Sequence, residues 1–173
     1  LQVPSIQSLA SVSEYPMKND LTPCPCGSEN LYPQCCQKYH QGLKAENALK
    51  LMRSRYSAYA LKLPDYIIQT THPASPHYMG DEKTWLKKIS EFCQKSEFLK
   101  LEILDFREHD HVATVTFTAR ISQNGQDASF TEKSYFQKVK EKWLYRSGQI
   151  AEAKLPNQIT NSQTRLLPLA YYG

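Results

Sequence analysis

The sequence lacks long hydrophobic runs and any segment typical of export. No apolar stretch approaches the roughly 20 residues that span a bilayer. The first twenty residues contain no basic region followed by a sustained apolar segment, so no signal peptide is predicted. The formal net charge is only +4 over 173 residues, and so weak a basic excess does not favour nucleic acid as a partner. Together these absences predict a cytoplasmic protein without a membrane span.

Cysteine is scarce outside one short segment. The chain has five cysteines, and the one that stands apart, Cys93, falls on the apolar stripe of a predicted helix, where a buried core position is expected. The clustered four are Cys24, Cys26, Cys35 and Cys36. In a reducing compartment such clusters are more often metal ligands than disulfides. Four thiolates suit tetrahedral zinc, although thiolate-rich sites also take iron.

Two other interpretations of the cysteine cluster stay open at this point. The four thiols could form two disulfides, or His40 could replace one thiolate as a ligand. Because Gly27 and Ser28 are small, backbone N–H groups there can point at a thiolate, and such donors stabilise its charge and fix its orientation. Lys38 and Lys44 are close enough in sequence to offset the net charge of a centre with four thiolates. Structural zinc is the preferred prediction.

The same segment resembles the SEC-C motif, a small metal-binding module known from the C-terminal tail of the SecA translocation ATPase. The resemblance rests on "CPCGS" at Cys24–Ser28 and on the tyrosine and paired cysteines of Tyr32–Cys36. It implies a zinc site formed by the four cysteines. In SecA the module contacts the chaperone SecB and the membrane surface, so the resemblance also implies a protein partner. Glu29 and Asn30 stand where such modules usually carry Gly and Lys.

The periodicity of the remaining sequence predicts helices followed by strands. "AENALKLMRSRYSAYALK" has apolar residues at helical spacing, and "PDYIIQTTH" is predicted to form a short second helix. Asp81 is a candidate N-cap for a third helix. "FLKLEILDF" and "HVATVTFTARI" alternate as strands do, and Asn124-Gly125 is typical of a tight hairpin. Helices followed by an antiparallel run of strands predict the α+β class.

Two longer segments resemble the YchJ family of bacterial SEC-C proteins. They are Leu51–Pro73 and Thr131–Ile150. The resemblance implies a cystatin-like, or nuclear-transport-factor-2-like (NTF2-like), cone of curved antiparallel sheet packed on helices. The predicted organisation is an N-terminal tail (1–20), a small zinc knuckle that contains the SEC-C motif (21–43), an NTF2-like body (44–150) and a polar C-terminal tail (151–173). No cysteine follows Cys93, so no second SEC-C motif is expected.

A second candidate site lies in the body, at Arg53, Tyr56 and His72. A helical wheel at about 100° per residue places Arg53 beside Tyr56 on the apolar face, where a guanidinium is rarely buried without a partner. We therefore consider an anion or carboxylate clamp that opens into the cone, with His72 nearby. The structural alternative is that Arg53 pairs with a sheet carboxylate such as Glu132, or with loop carbonyls.

Three functions are consistent with this sequence. The preferred one is a metal-stabilised module that contacts another protein through the SEC-C motif, with the body as scaffold. The alternative is a small-molecule-binding protein or enzyme that uses the cone, although no spacing selects a nucleophile or a base, and a non-enzymatic role is favoured. Nucleic-acid binding is the least favoured. A homodimer stays open, because free edges of such sheets often pair.

Overall fold

The structure is a computed structural model that describes residues 21–151. The predicted N-terminal tail, and the C-terminal tail beyond residue 151, lie outside the described residues. Within the described range the helices and strands are a 3₁₀ turn Tyr32–Gln34, α1 Gln37–His40, α2 Ala48–Ala60, α3 Pro64–Gln69, α4 Glu82–Lys95, β1 Ser96–His109, β2 Val112–Gln123, β3 Gln126–Asp127, β4 Phe130–Val139 and β5 Lys142–Ile150. Helices come first and antiparallel strands follow, which confirms the α+β prediction.

The helices begin where capping side chains are available. Asn47 caps α2 by accepting a 2.8 Å hydrogen bond from the Lys50 backbone N–H, and Asp81 caps α4 through the Thr84 N–H, as predicted. Each cap satisfies a backbone donor that has no partner within its helix. Proline at the start of α3 fits a position where the missing N–H costs nothing. No helix within residues 21–151 has the length and apolar character needed to cross a membrane.

The strands form one antiparallel sheet in the order β1-β2-β4-β5, with the short β3 paired to β2. Asn124 and Gly125 both have positive φ, 51° and 76°, which confirms the predicted hairpin because type I′ turns require this conformation at both central residues. Along β2 the buried residues alternate strictly. They are the five expected from the alternation of the sequence, Ala113, Val115, Phe117, Ala119 and Ile121, followed by Gln123 at the end of the strand.

Two irregularities bend the edge strand β1. Its pairing with β2 shifts register between Phe98 and Lys100 and again between Ile103 and Asp105. The residues left over, Leu99 and Leu104, are 59% and 60% exposed. An extra residue in one strand increases local twist and curvature, so these bulges help the sheet curve around the helices.

The core lies between this curved sheet and the helices. Its largest buried side chains come from α2, α4 and β5, and they include Tyr59, Trp85 and Trp143. Cys93 is 1% exposed within the same core, as predicted. By contrast, the charged stretch Arg107–His111 is fully exposed at the β1–β2 turn, as expected for a solvated connection. The core thus lies within the body, and the knuckle depends on other interactions for its stability.

Candidate metal centre

Two short turns bring the four clustered cysteines together. Cys24 and Cys26 lie on a tight loop that is closed by a bridge between Pro23 and Leu31. Gly27 adopts a φ of 69° in this loop, a conformation that glycine reaches without strain, and its N–H donates to the Cys24 carbonyl at 3.2 Å. The other two cysteines follow the 3₁₀ turn and lead into α1.

The four sulfurs have the spacing of a single tetrahedral site. All four Sγ atoms lie within 4.8 Å of one another, and all four residues are buried. The Sγ atoms of Cys26 and Cys35 are 3.6 Å apart, and those of Cys35 and Cys36 are 3.8 Å apart. Sulfurs at about 2.3 Å from a central zinc ion would be about 3.8 Å from one another in a regular tetrahedron. The cysteines are free thiols, so the disulfide alternative is wrong.

His40 is oriented away from the sulfurs by two hydrogen bonds of its own. Its Nε2 lies 2.8 Å from the Ser54 carbonyl and its Nδ1 lies 2.8 Å from the Tyr32 hydroxyl. Because a carbonyl can only accept, Nε2 carries the proton and Nδ1 accepts from tyrosine. Burial lowers the pKa of His40, which favours this neutral form. The alternative in which His40 replaces a thiolate is therefore not supported.

Two hydroxyl groups contact the sulfurs. Ser28 Oγ lies 3.1 Å from the Cys35 Sγ, and Ser57 Oγ lies 3.5 Å from the Cys24 Sγ. Hydroxyl donors of this kind stabilise thiolate charge and fix ligand orientation. The sequence predicted backbone N–H donors at Gly27 and Ser28, whereas the contact of Ser28 is made by its hydroxyl. Ser57 belongs to α2 in the body.

The knuckle is fixed to α2 by polar contacts with the helix. Arg53 donates from Nη1 to the Cys26 carbonyl at 2.7 Å, and the His40–Ser54 contact attaches α1 to the same helix. Lys38, predicted to offset charge at the sulfurs, instead pairs with Glu46 at 3.4 Å. The cation that holds the metal loop is thus Arg53, which lies on the body.

The thiols change one another's pKa because they share one buried site. Hydrogen bonds from Cys24 and Cys36 lower the pKa of Cys26. The hydrogen bonds that the Cys36 thiol donates to Cys24 and Cys26 raise the pKa of Cys36, and burial raises the pKa of Cys35 to about 11. Deprotonation of Cys35 and Cys36 beside a Cys26 thiolate is therefore unfavourable unless a cation lies among the sulfurs. Metal binding at this site would release protons.

Comparison with known proteins agrees with this arrangement. Residues 47–148 match the family model of the YchJ middle NTF2-like domain. The chain belongs to the YchJ family. A UPF0225 protein of Bordetella pertussis is 37% identical over 139 residues, which make up 77% of this chain and 98% of that protein.

Two solved structures support both parts of this YchJ-family chain. The solution structure of a SEC-C motif containing protein from Rhodopseudomonas palustris matches with a TM-score of 0.65 and 32% identity, and covers 76% of this chain and 100% of that one. A crystal structure of a SEC-C motif containing protein from Psychrobacter arcticus matches with a TM-score of 0.62 and 26% identity, over 80% and 88% of the two chains. The NTF2-like fold and the SEC-C resemblance predicted from the sequence are both confirmed.

The candidate pocket residues of this YchJ-family chain are not brought together. Arg53 was placed by the helical wheel on the cone side of α2, but it contacts the knuckle through the Cys26 carbonyl, as one structural alternative had it. Tyr56 does line the interior of the cone. The Nδ1 of His72 accepts from the Ala74 N–H in the following loop, and His72 does not line that cavity.

The buried cation inside the cone is Arg55, the second arginine of α2. Arg55 is 6% exposed, and its Nη1 donates to the Ile67 carbonyl and to the hydroxyls of Thr70 and Thr71 at 2.7–3.1 Å. The guanidinium also lies 4.7 Å from the centre of the Tyr145 ring. These contacts tie the end of α3 to α2.

Glu132 is a buried carboxylate that the sequence analysis named only as a possible partner of Arg53. It is 1% exposed, and it accepts hydrogen bonds from Ser134 Oγ at 2.5 Å and from Tyr145 Oη at 3.5 Å. Gly148 on β5 makes room for it, because a Cβ at that position would lie 2.2 Å from Glu132 Oε1. The alternation of β4 contains the signal, since Glu132 has the same parity as the buried Phe136.

The cavity between these groups is small. It measures about 20 Å³ and is lined by α2 and by strands β2, β4 and β5. A volume of that size holds about one water molecule, whereas small-molecule sites usually measure roughly 300–1,000 Å³. Arg55 and Glu132 therefore line a filled interior, in which large aromatic side chains occupy most of the cone.

Proposed function

We propose that this protein binds one zinc ion through Cys24, Cys26, Cys35 and Cys36, and that the loaded knuckle binds another protein. The observation that carries the proposal is the group of four buried thiols within 4.8 Å of one another. Four thiolates with tetrahedral spacing and no open position are typical of structural rather than catalytic zinc. Iron is the competing metal, because it accepts the same ligands.

The ion has a structural task because the knuckle has almost no core of its own. Its buried residues are the four cysteines and Tyr39. Such small modules usually obtain their folding free energy from the metal. Loss of the ion would therefore disorder the knuckle, while the body keeps an independent core.

The surface of the knuckle supports a protein partner. Leu21 is 78% exposed and Leu43 is 54% exposed, and Lys38 and Lys44 lie close by in sequence. Exposed apolar side chains with basic neighbours suit contact with an apolar and acidic protein surface. We propose the cytoplasm as the location, because the cluster needs reduced thiols.

The test compares two sets of cysteine variants. We expect about one equivalent of zinc by elemental analysis in the wild type and in Cys93→Ser, and none in Cys24→Ser/Cys36→Ser. Cys93 is the matched control, because it is a buried cysteine of the body outside the cluster. In affinity capture, a partner lost only by the double variant supports the proposal. Identical partners for all three proteins would contradict the proposal. One equivalent of iron instead of zinc in the wild type would change the assigned metal to iron.

The alternative function, a small molecule in the cone, has less support. Of its three residues only Tyr56 lines the cavity, and the volume there suits a single water molecule. We therefore propose neither a ligand nor a reaction for the cone. Nucleic acid stays the least favoured partner at a net charge of +4.

A further inference from the structure

A second cavity lies where the knuckle meets the body. It measures about 150 Å³, which is too small for most cofactors and sufficient for one side chain. The knuckle contributes Tyr39, Gly42 and Leu43, and the body contributes Lys44, Tyr66, Lys142 and Trp143 among others. This cavity, the junction cleft, is the larger of the two described here and does not overlap the interior of the cone.

The charged side chains that line the junction cleft are all positive. Lys44 and Lys142 line it, and no carboxylate does. Lys142 uses one proton in a 3.2 Å hydrogen bond to the Gln69 carbonyl, which leaves two donors. Lys44 forms no ion pair within residues 21–151. Two ammonium groups without an opposing acid favour an anionic occupant.

Trp143 supplies an independent indication of a missing acceptor. The residue is 2% exposed and lines the junction cleft, and within residues 21–151 its Nε1 has no hydrogen-bond partner. An indole N–H can only donate, and a buried donor without an acceptor costs roughly 1–3 kcal/mol. The two tyrosine hydroxyls of the lining already have partners, since Tyr39 donates to Glu46 and Tyr66 bonds Ser54.

We propose that the junction cleft receives the carboxylate of an acidic side chain from the protein that docks on the knuckle. An ionised carboxylate is an acceptor only, which matches a lining that offers an indole N–H and two ammonium groups. The inference rests on the proposed function, because the partner is the one that the loaded knuckle would bind. It adds the chemistry of that partner: an acidic residue beside the segment that contacts Leu43.

The indole N–H resonances of the two tryptophans provide the test. The chain contains only Trp85 and Trp143, and Trp85 is an internal reference, because it lies on α4, is 1% exposed and does not line the junction cleft. The zinc-loaded full chain, labelled with ¹⁵N, is titrated with a blocked tetraglutamate peptide. We expect a saturable shift of the Trp143 resonance and none of Trp85, with weaker binding as salt is added.

Variants and other probes complete the experiment. Lys44→Met and Lys142→Met should each weaken peptide binding about two- to fivefold, as expected for a partly exposed charge pair. Lys87→Met, at an exposed position on α4, should leave it unchanged. Lys44 is itself exposed, so its variant is expected to fold. The proposal is overturned if the Trp143 resonance does not move, or if tetraglutamine moves it equally.

Small anions give the remaining outcome. If acetate or inorganic phosphate binds as tightly as the peptide, the junction cleft holds an adventitious small ion only and the proposal is overturned. The titration reports on the cleft itself, whereas affinity capture reports on the dependence of a partner on metal. The carboxylate site in the cleft and the metal-dependent partner can therefore be refuted separately.

Discussion

Arg53 connects the metal loop to the body, so removing its charge should weaken metal binding without unfolding the protein. The guanidinium donates to the Cys26 carbonyl at 2.7 Å, and Cys26 is one of the four proposed ligands. A buried hydrogen bond from a charged donor contributes about 1.5–3 kcal/mol. Because Arg53 is half-buried, the lower end applies. About 1.4 kcal/mol corresponds to a tenfold change, so Arg53→Met should raise the zinc Kd about tenfold.

The assay is competition for zinc with a chromophoric chelator at constant pH. Arg55→Met is the matched control on the same helix, because Arg55 contacts α3 and Tyr145 instead of the knuckle. It should lower the stability of the body and leave the zinc Kd within about twofold. If Arg53→Met keeps the wild-type Kd, or if Arg55→Met changes it as much, then the knuckle is not held by the Cys26 contact.

Three further predictions concern the body, the metal and pH. Gly148→Ala should lower the free energy of unfolding by about 1–3 kcal/mol through overpacking against Glu132, whereas Gly80→Ala, with open space around its Cα, should change it little; equal urea midpoints would contradict this. Chelation of the metal should make four thiols react quickly with Ellman's reagent while the fifth stays protected; a loaded protein that reacts equally fast would contradict the site. Burial lowers the pKa of His40 below its usual 6.5, so the unfolded chain takes up the proton more readily. The stability that depends on His40 is therefore present above about pH 6.5 and lost as pH falls below it. His40→Gln should flatten that part of the plot of unfolding free energy against pH, and an unchanged plot would refute the neutral state of His40.

Local sequence chemistry was sufficient to predict the cluster of four cysteines and most of the helices and strands. The spacing of the cysteines predicts the four-thiol cluster because short turns between them keep the four side chains close together. Strict alternation predicts the buried face of β2, and Asn124-Gly125 predicts its hairpin, since each pattern depends only on neighbouring residues. No long-range information was needed for these features.

The prediction that Arg53 faces the cone was wrong because a helical wheel assumes that the helix has one buried face. The α2 helix is covered on two sides, by the sheet and by the knuckle, and Arg53 is the only residue from Leu51 to Tyr59 that is not fully buried. The wheel therefore places Arg53 toward the cone, whereas the cone contains Arg55. Only the packing of the knuckle on this helix, a tertiary feature, separates the roles of Arg53 and Arg55.

The sequence of the edge strand β1 contains a signal for its two bulges. "FLKLEILDF" does not alternate throughout, because apolar residues stand next to each other at Phe98-Leu99 and Ile103-Leu104. These are the two places where β1 shifts register. Adjacent apolar residues in an otherwise alternating strand thus marked the positions of the bulges, and the exposed leucines are the inserted residues.

The same two insertions limit how copies of this protein can assemble. A neighbouring chain that added a strand along β1 would lose its hydrogen-bond ladder at Leu99 and again, five residues later, at Leu104. A free edge of fourteen residues would otherwise be a template for open-ended growth of the sheet. Fibre-like growth of the sheet through this edge is therefore disfavoured.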